Sequence, residues 1–340
     1  MRKEKIVASA PGKIYLFGEH AVMYDKLSIA TSVDYRIRAE VEEREDDLVS
    51  ITSHELGVYG YKIDIEDLKR INVKGVGDIR YVVAAAKTVY ENIENAKKGA
   101  NIEIKSEISE QARSLGTSSA VTVATIGALA RRFDKILNER ELFDLGYKSH
   151  TIEVQGGAGS GYDIACASYG GTILFKKGGE TIERISCDEI PLIYSPIQNI
   201  KISTPQIVTK IRERVSKNPE YYEEVFWRPM DSIVREAYKI LKNYRGSDEN
   251  KNQELGELMN NYHGLLVSLG VSTRQADDLR YIANESGAYG SKMTGGGGDN
   301  IISLVNEEKK DKVSEAIRSN GGLPMEIKTN APGFRFENSS

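Results

Sequence analysis

Residues 113–122, RSLGTSSAVT, restrict the fold of this chain more than any other stretch. A single glycine, Gly116, stands among four hydroxyl residues and leads straight into apolar sequence with β-branched residues. The first N–H groups of a helix point the same way and lie at the positive end of its dipole. The stretch therefore predicts a phosphate-binding cradle or, as the alternative, a loop in which a Ser or Thr side chain caps a helix.

The hydroxyl groups of this stretch also suit a metal ion. Mg²⁺ prefers hard oxygen ligands and keeps several waters, and Ser118 is the hydroxyl that we expect to bind it. The pattern differs from the Walker P-loop, because no Gly-Lys-Ser/Thr occurs in it.

Two predicted turns lie in ASAPGKIYLFGEHAVMY, residues 8–24. The first, Ala-Pro-Gly, directly precedes Lys13, and the second opens at Gly18 and holds Glu19 and His20. A cation just after a turn can neutralise charge on a reacting oxygen. The alternative is an ordinary exposed lysine in a turn.

Two further glycine-rich stretches follow. In VQGGAGSGYDIACASYGG, residues 154–171, Asp163 could accept the proton of an attacking hydroxyl or could merely cap a turn. In GSKMTGGGGDNIISL, residues 290–304, four consecutive glycines precede a predicted strand and would let the backbone approach a ligand closely. A floppy linker is the alternative interpretation of the second stretch.

Composition and charge narrow the class of protein. The chain has 340 residues, which suggests two domains, and a net charge of −4, which argues against nucleic acid as a partner. Its two cysteines form no CxxC motif, and no apolar run reaches the length of a membrane span. The N-terminus lacks the apolar core of a secretory signal. We expect a cytoplasmic protein with no membrane partner, and the oligomeric state stays open, a homodimer included.

The order of predicted elements is typical of an α+β protein. Strands are predicted within residues 5–10, 28–45, 101–108, 167–177 and 300–305. Helices are predicted within residues 78–96, 118–134, 139–155, 222–244, 252–270, 273–286 and 309–320. The character of the chain changes around residues 185–200, so we place an N-terminal domain at 1–190 and a C-terminal domain at 191–340.

Three of the stretches resemble the motifs of the GHMP kinases, a superfamily named for galactokinase, homoserine kinase, mevalonate kinase and phosphomevalonate kinase. APGKIYLFGEHAV is similar to the first motif, SLGTSSAVT to the core of the second and KMTGGGGDN to the third, in the family's order. The resemblance covers nearly the whole chain and points to the mevalonate kinase and phosphomevalonate kinase branch. It implies an N-terminal domain like domain 2 of ribosomal protein S5 and a ferredoxin-like C-terminal domain.

The resemblance also implies ATP and Mg²⁺ as cofactors and a role for each matching residue. Lys13 would stabilise the acceptor alkoxide, Asp163 would be the base or the orienting carboxylate, and Glu153 would join Ser118 as a Mg²⁺ ligand. The ATP phosphates would lie against Ser114, Leu115, Gly116, Thr117, Ser118 and Ser119. The acceptor would lie against Glu19, His20, Arg113, Gly295, Gly296 and Gly297.

Some residues depart from the family pattern. Arg113 stands where the second motif has a glycine, and its guanidinium could bind a second phosphate on the acceptor or be an ordinary solvated arginine. Glu153 is displaced by one or two positions relative to Asp163, and each position turns a helical side chain by about 100°. The other histidines, His54, His150 and His263, are expected on the surface or as satisfied interior residues.

The acceptor is the least determined part of this interpretation. GEHAV resembles mevalonate kinase, whereas GSGYD and the Gly-Asp-Asn ending of the third motif resemble phosphomevalonate kinase. This mixture suggests an ATP-dependent kinase of isoprenoid precursor synthesis that phosphorylates the 5-hydroxyl of mevalonate 3-phosphate, with plain mevalonate as the rival acceptor. The alternatives are a phosphomevalonate kinase acting on mevalonate 5-phosphate, a decarboxylase of the same fold and a nucleotide-binding regulator without catalysis.

Overall fold

Two long, largely buried strands begin the fold in the computed structural model of this chain. The structure describes residues 5–107, 114–198 and 204–338. The chain divides into two compact units, one of Met1–Lys13, Tyr35–Gly170 and Pro332–Ser340 and one of Ile14–Asp34 and Gly171–Ala331. Because the two long strands cross this division, neither unit is a continuous segment. The single boundary near residue 190 stays a prediction.

The regular elements alternate along the chain. The strands are β1 (Ile6–Phe17), β2 (Ser28–Glu43), β3 (Leu48–Ser53), β4 (Val58–Asp64), β5 (Ala100–Ser106), β6 (Thr172–Phe175), β7 (Ile182–Ile185), β8 (Leu192–Pro196), β9 (Gly290–Met293), β10 (Asn300–Leu304), β11 (Met325–Ile327) and β12 (Arg335–Phe336). The helices are α1 (Ile65–Arg70), α2 (Arg80–Asn92), α3 (Thr117–Arg132), α4 (Glu139–Gly146), α5 (Tyr162–Tyr169), α6 (Thr204–Lys217), α7 (Pro219–Tyr222), α8 (Arg228–Leu241), α9 (Glu249–Leu269), α10 (Arg274–Glu285) and α11 (Glu307–Ser319).

The first unit is built on a mixed sheet in the order β12-β1-β2-β5-β3-β4. Strand β2 pairs with β5 in antiparallel register from Ile37 opposite Ser106 to Glu43 opposite Ala100, and β3 pairs with β5 in parallel. Helix α3 forms despite its β-branched residues, because it is buried over most of its circumference, from Ser119 to Ala130. Helix α3 packs against helices α2, α4 and α5 and against strand β5.

One predicted turn in this unit is wrong. Pro11 and Gly12 lie inside β1, which continues without a break from Ile6 to Phe17. Pairing of β1 in the sheet, with Ala8 opposite Phe336 and Ser9 opposite Arg335, favours extended backbone over the local turn preference of Pro-Gly. Lys13 therefore projects from a strand and not from an exposed turn.

The second unit contains an antiparallel sheet in the order β11-β8-β10-β9. Helices α10 and α11 pack on this sheet through an apolar core made of Ile193, Ile197, Ala276, Leu279, Ala283, Ile301, Val305, Val313 and Ile317. The predicted α+β class is confirmed. Among the described residues no helix combines the length and the apolar character needed to cross a lipid bilayer.

Candidate active site

Three predicted residues, Lys13, Ser118 and Asp163, come together in the first unit. Strand β1 carries Lys13, and helices α3 and α5 each begin near one of the other two. The Lys13 Nζ atom lies 3.5 Å from the Ser114 carbonyl oxygen and 5.1 Å from the centre of the Tyr162 ring. The arrangement puts a cation, a hydroxyl and a carboxylate next to the positive ends of two helices.

Gly116 is what allows Lys13 to approach the start of α3. Gly116 has φ +82°, and a Cβ atom there would lie 2.8 Å from Lys13 Cγ and 2.9 Å from Lys13 Cε. Gly116 is also the N-terminal cap residue of α3, and no side chain caps this helix. The alternative interpretation, a Ser or Thr cap, is therefore wrong, because the left-handed backbone and the packed Lys13 side chain both demand glycine.

The residues of the RSLGTSSAVT stretch differ in burial and in hydrogen bonding. Ser119 is buried and donates to the Gly116 carbonyl oxygen at 2.7 Å, which closes the turn. Leu115 is buried in the core, so only its backbone is available to a ligand. Ser114 is exposed and Thr117 half-buried. Ser118 Oγ lies 3.0 Å from His150 Nε2.

His150 is the residue that sequence reasoning missed. It is fully buried, its ring stacks on Tyr81 with centroids 4.9 Å apart, and its Nε2 atom lies 3.9 Å from Asp163 Oδ2. Burial lowers the pKa of His150, the positive charge of Lys13 lowers it further, and the nearby Asp163 carboxylate opposes both effects. The imidazole is therefore neutral at physiological pH. No pattern in its own stretch, KSHTIEV, marks it as part of a site.

Asp163 lies at the start of a helix and beside His150. It lies in the first turn of α5, whose cap Gly161 has φ +92°. Its Oδ1 atom accepts the N–H of the next residue, Ile164, at 3.1 Å. Its Oδ2 atom faces His150, and the side chain is 17% exposed. Oδ1 is held by a hydrogen bond, and Oδ2 is turned toward His150.

Glu153 points elsewhere. It lies in a π-helical segment, Tyr147–Val154, and its Oε1 atom lies 2.8 Å from Lys87 Nζ. Within the part of the chain that the structure describes, its contacts include neither Ser118 nor Asp163. Its Oε2 atom is buried and has no hydrogen-bond partner among the described residues, and its assignment as a metal ligand stays a prediction.

The donor atoms of the cluster fit a magnesium ion. Ser118 supplies a hydroxyl oxygen and Asp163 a carboxylate oxygen, and both lie beside the same His150 nitrogen. In residues 5–107, 114–198 and 204–338 no three His, Cys, Asp or Glu side chains group as a cage. Mg²⁺ commonly takes only one or two protein oxygens and completes its shell with phosphates and water. The Ser118 hydroxyl matches that requirement.

The second unit contains the GEH turn. Gly18 has φ +101° and His20 φ +62°, so the turn holds a non-glycine residue in the left-handed half of the Ramachandran plot. Glu19 Oε1 forms a buried ion pair with Lys292, and the Tyr262 hydroxyl donates to the Glu19 carbonyl oxygen at 3.0 Å. Burial lowers the pKa of Lys292, and the Glu19 carboxylate opposes that effect. The Glu19 carboxylate thus links the GEH turn to Lys292 of β9.

His20 has an unused nitrogen. Its ring hydrogen-bonds the backbone of Gly296, and burial lowers its pKa to about 4, so the ring is neutral at physiological pH. The side chain is only 7% exposed, and Nε2 has no hydrogen-bond partner among the described residues. A polar atom buried in this way costs free energy unless a ligand satisfies it.

The glycine loop between β9 and β10 is held at both ends. Thr294 Oγ1 donates to the Tyr15 carbonyl oxygen at 3.0 Å, and Thr273 Oγ1 donates to the Gly298 carbonyl oxygen at 2.7 Å. A Cβ atom on Gly298 would lie 2.5 Å from the Thr273 nitrogen. These contacts disfavour the floppy-linker interpretation. The predicted acceptor residues Gly295, Gly296 and Gly297 lie in this loop, and Arg113 lies outside the described residues.

Comparisons with known proteins agree with the motifs. The GHMP kinases N terminal domain family matches residues 80–171, and the GHMP kinases C terminal family matches residues 242–323. The chain is 36% identical over 338 residues to the mevalonate kinase of Thermococcus sibiricus and 33% identical over 337 residues to that of Pyrococcus furiosus, with 98% of each chain covered. It resembles the crystal structure of Methanococcus jannaschii mevalonate kinase with a TM-score of 0.80 and 28% identity, covering 96% of this chain and 99% of that one. The two-domain fold and the enzyme class are thereby confirmed: this chain belongs to the GHMP kinases, as a mevalonate kinase-like phosphotransferase that uses ATP and an alcohol acceptor.

Proposed function

We propose that this protein transfers the γ-phosphoryl group of ATP to the 5-hydroxyl of a mevalonate-type acceptor in isoprenoid precursor synthesis. The observation that carries the proposal is the cluster of Lys13, Ser118 and Asp163 at the starts of α3 and α5. Phosphoryl transfer depends on positioning and charge neutralisation more than on covalent chemistry. Mevalonate kinases among the relatives support the class of acceptor.

The N-terminus of α3 is the proposed phosphate site. Its first-turn N–H groups have no acceptor within the helix and point toward a bound anion. Ser118 would hold Mg²⁺, which when bound neutralises charge on the phosphoryl group. Lys13 would stabilise negative charge on the acceptor oxygen.

Asp163 has the geometry of an acceptor for the hydroxyl proton. Its Oδ1 atom is held by the Ile164 N–H, which fixes the direction of Oδ2. The 5-hydroxyl would give its proton to Asp163 as its oxygen forms the new bond to γ-phosphorus. The bond between that phosphorus and the bridging oxygen of ADP breaks in the same transfer.

The Gly116→Ala variant tests the packing of Lys13 against the phosphate loop. The added Cβ must displace the Lys13 side chain, and we expect kcat to fall about 100-fold, as small misplacements of reacting groups do. The matched control is Gly57→Ala, because Gly57 also has positive φ, at +65°, but has open space around a Cβ. Steady-state kinetics and thermal melts of both variants make the comparison. Equal kcat losses in the two variants would refute the role of Gly116.

A cavity in the second unit supports an anionic acceptor. It has a volume of about 250 Å³ and is lined by His20, Lys177 and Arg212 together with Met23, Tyr24, Val208 and Ile211. This volume lies below that of drug-sized sites and suits a small molecule. Neither Lys177 nor Arg212 forms an ion pair with a carboxylate in the described ranges. Two cations and the unused His20 nitrogen offer more positive charge and hydrogen bonding than one carboxylate needs.

Two cations favour an acceptor that carries a phosphate as well as a carboxylate. Mevalonate 3-phosphate meets this description and still presents the 5-hydroxyl that a mevalonate kinase phosphorylates. An arginine guanidinium and a lysine ammonium both bind phosphate well, the arginine in bidentate fashion. Plain mevalonate remains the rival acceptor, since one cation would then pair with its carboxylate.

An acceptor panel tests the proposal directly. Mevalonate, mevalonate 3-phosphate and mevalonate 5-phosphate are each incubated with Mg·ATP, and the products are resolved by phosphorus NMR while CO₂ release is measured. We expect a new 5-phosphate on mevalonate 3-phosphate and no CO₂. Turnover of mevalonate alone would refute the proposal that the acceptor already carries a phosphate. CO₂ release would indicate a decarboxylase, and ATP binding without turnover of any acceptor would refute the proposed function.

The Arg212→Ala variant tests the cavity as the acceptor site. Loss of a charged hydrogen bond to phosphate raises KM for the phosphorylated acceptor about tenfold or more, while KM for ATP stays unchanged. Lys210→Ala is the matched control, because it removes one positive charge from the same exposed stretch of α6 without touching the cavity. Equal increases in KM for the phosphorylated acceptor in the two variants would show that Arg212 contributes only a general positive charge and does not bind the phosphate.

A further inference from the structure

His150 occupies the middle of the cluster in the first unit. Its ring lies between Tyr81 on one face and the Ser118 and Asp163 side chains at its Nε2 edge. The chain brings it there through the π-helical segment, where the Gln155 N–H reaches the His150 carbonyl oxygen. The wider π turn rotates the residues after it, and such turns occur often at functional sites. Within this segment His150 faces Ser118, while Glu153 pairs with Lys87.

The surroundings decide which ring nitrogen carries the proton. The Nε2 atom faces two acceptors, Ser118 Oγ at 3.0 Å and Asp163 Oδ2 at 3.9 Å. The Nδ1 atom is buried and has no hydrogen-bond partner in the part of the chain that the structure describes. A proton on Nδ1 would be an unsatisfied buried donor, which is costly. The neutral ring therefore has its proton on Nε2.

We propose that His150 is a positioning residue whose Nε2–H donates to Ser118 Oγ and so aims the Ser118 hydroxyl at the metal–nucleotide complex. A serine hydroxyl has two lone pairs and one proton. His150 uses one lone pair, which leaves the second lone pair for Mg²⁺ and the proton for a phosphate or a water. The inference rests on the proposed function, because it assigns Ser118 to the nucleotide side of that site.

The ring is well suited to this role. Stacking on Tyr81, with an interplanar angle of 28°, restricts its rotation, and burial of the ring shields its nitrogens from water. Neighbours that orient a metal ligand commonly affect metal affinity or activity by 10- to 100-fold. A ring that only filled space would need neither the Ser118 contact nor a neutral donor beside Asp163.

A pair of amide variants separates orientation from space filling. The amide nitrogen of a glutamine can reach the place of His150 Nε2, whereas that of an asparagine can reach only the place of Nδ1. We expect His150→Asn to raise the Mg²⁺ concentration for half-maximal nucleotide binding about tenfold and to lower kcat by a similar factor. His150→Gln recovers both values to within about threefold of the unaltered protein. Binding of a fluorescent ATP analogue without acceptor, with and without Mg²⁺, gives the first value.

The outcomes are distinct. If His150→Asn and His150→Gln behave alike, or if nucleotide binding without Mg²⁺ falls as much as binding with it, the positioning role is wrong. In a Ser118→Ala background, His150→Asn should have no further effect on Mg²⁺ dependence, and an undiminished effect would also overturn the proposal.

A measurement on the unaltered chain covers the case in which the variants do not fold. The chain has four histidines, so nitrogen NMR of the imidazoles can resolve His150 and report its tautomer. A proton on Nε2 supports the proposal, and a proton on Nδ1 refutes it. The binding and NMR results do not depend on the acceptor. A negative acceptor panel would therefore refute the proposed function, whereas the role of His150 would still be decided by the binding and NMR results.

Discussion

Replacing Asp163 by asparagine is expected to lower kcat about 10³-fold while leaving the affinity for ATP within about twofold, in the range that general acid–base groups contribute. Asparagine keeps the shape of the side chain and can still accept the Ile164 N–H through its oxygen. It cannot take a proton from the acceptor hydroxyl. The loss therefore falls on the chemical step and not on nucleotide binding.

Single-turnover kinetics and ATP titration of the Asp163→Asn variant measure the two quantities separately. The control is Asp144→Asn, because Asp144 is an exposed carboxylate of the same unit that pairs with Arg140 at 3.0 Å. The control should keep kcat within about twofold, since exposed ion pairs contribute little. A kcat for Asp163→Asn within fivefold of the unaltered protein, about 1 kcal/mol of activation free energy, would rule out Asp163 as the proton acceptor.

The second large effect concerns stability. Lys292→Met is expected to destabilise the second unit by about 3–5 kcal/mol, because it leaves the buried Glu19 charge without its cation. Lys292 is fully buried, pairs with Glu19, donates to the Met293 carbonyl oxygen at 2.6 Å and lies 5.6 Å from the centre of the Tyr262 ring. A methionine can fill the space but offers no positive charge.

The chain contains one tryptophan, Trp227, which is buried in the second unit and reports the unfolding of that unit by fluorescence in urea. The double variant Glu19→Gln with Lys292→Met should recover part of the lost free energy of unfolding, since it removes the unpaired charge. Lys310→Met, which breaks an exposed pair with Glu326, is the control and should cost less than about 1 kcal/mol. A double variant that is less stable than Lys292→Met alone would show that the pair is not the source of the effect.

Several features of this protein follow from local sequence. Glycines in RSLGTSSAVT, GSGYD and TGGGGDN adopt positive φ at Gly116, Gly161 and Gly295, as expected where a turn leads into a helix or a strand. The periodic apolar residues of α2, α9 and α11 form the predicted helices. Patterns of this kind act within a few residues, so the predicted elements, the α+β class and the family motifs can be recognised without coordinates.

Local preference was misleading where longer-range contacts competed with it. The Pro11–Gly12 turn is absent because pairing in the sheet keeps β1 extended through it. No Ser or Thr caps α3, because the packing of Lys13 requires glycine at that place. In both cases a partner distant in sequence changed the energy of the local conformation.

The sequence by itself determined the glycine-bearing loops and the residue types that they carry, because positive φ and helix starts are properties of a few neighbouring residues. Only the tertiary structure decided which side chains meet. His150 reaches Ser118 across 32 residues, and Lys292 reaches Glu19 across 273. Within the π-helical segment Tyr147–Val154, His150 faces the cluster and Glu153 faces Lys87. A shift of one residue in a helix changes a side chain's direction by about 100°, and only the packed core determines where that shift occurs.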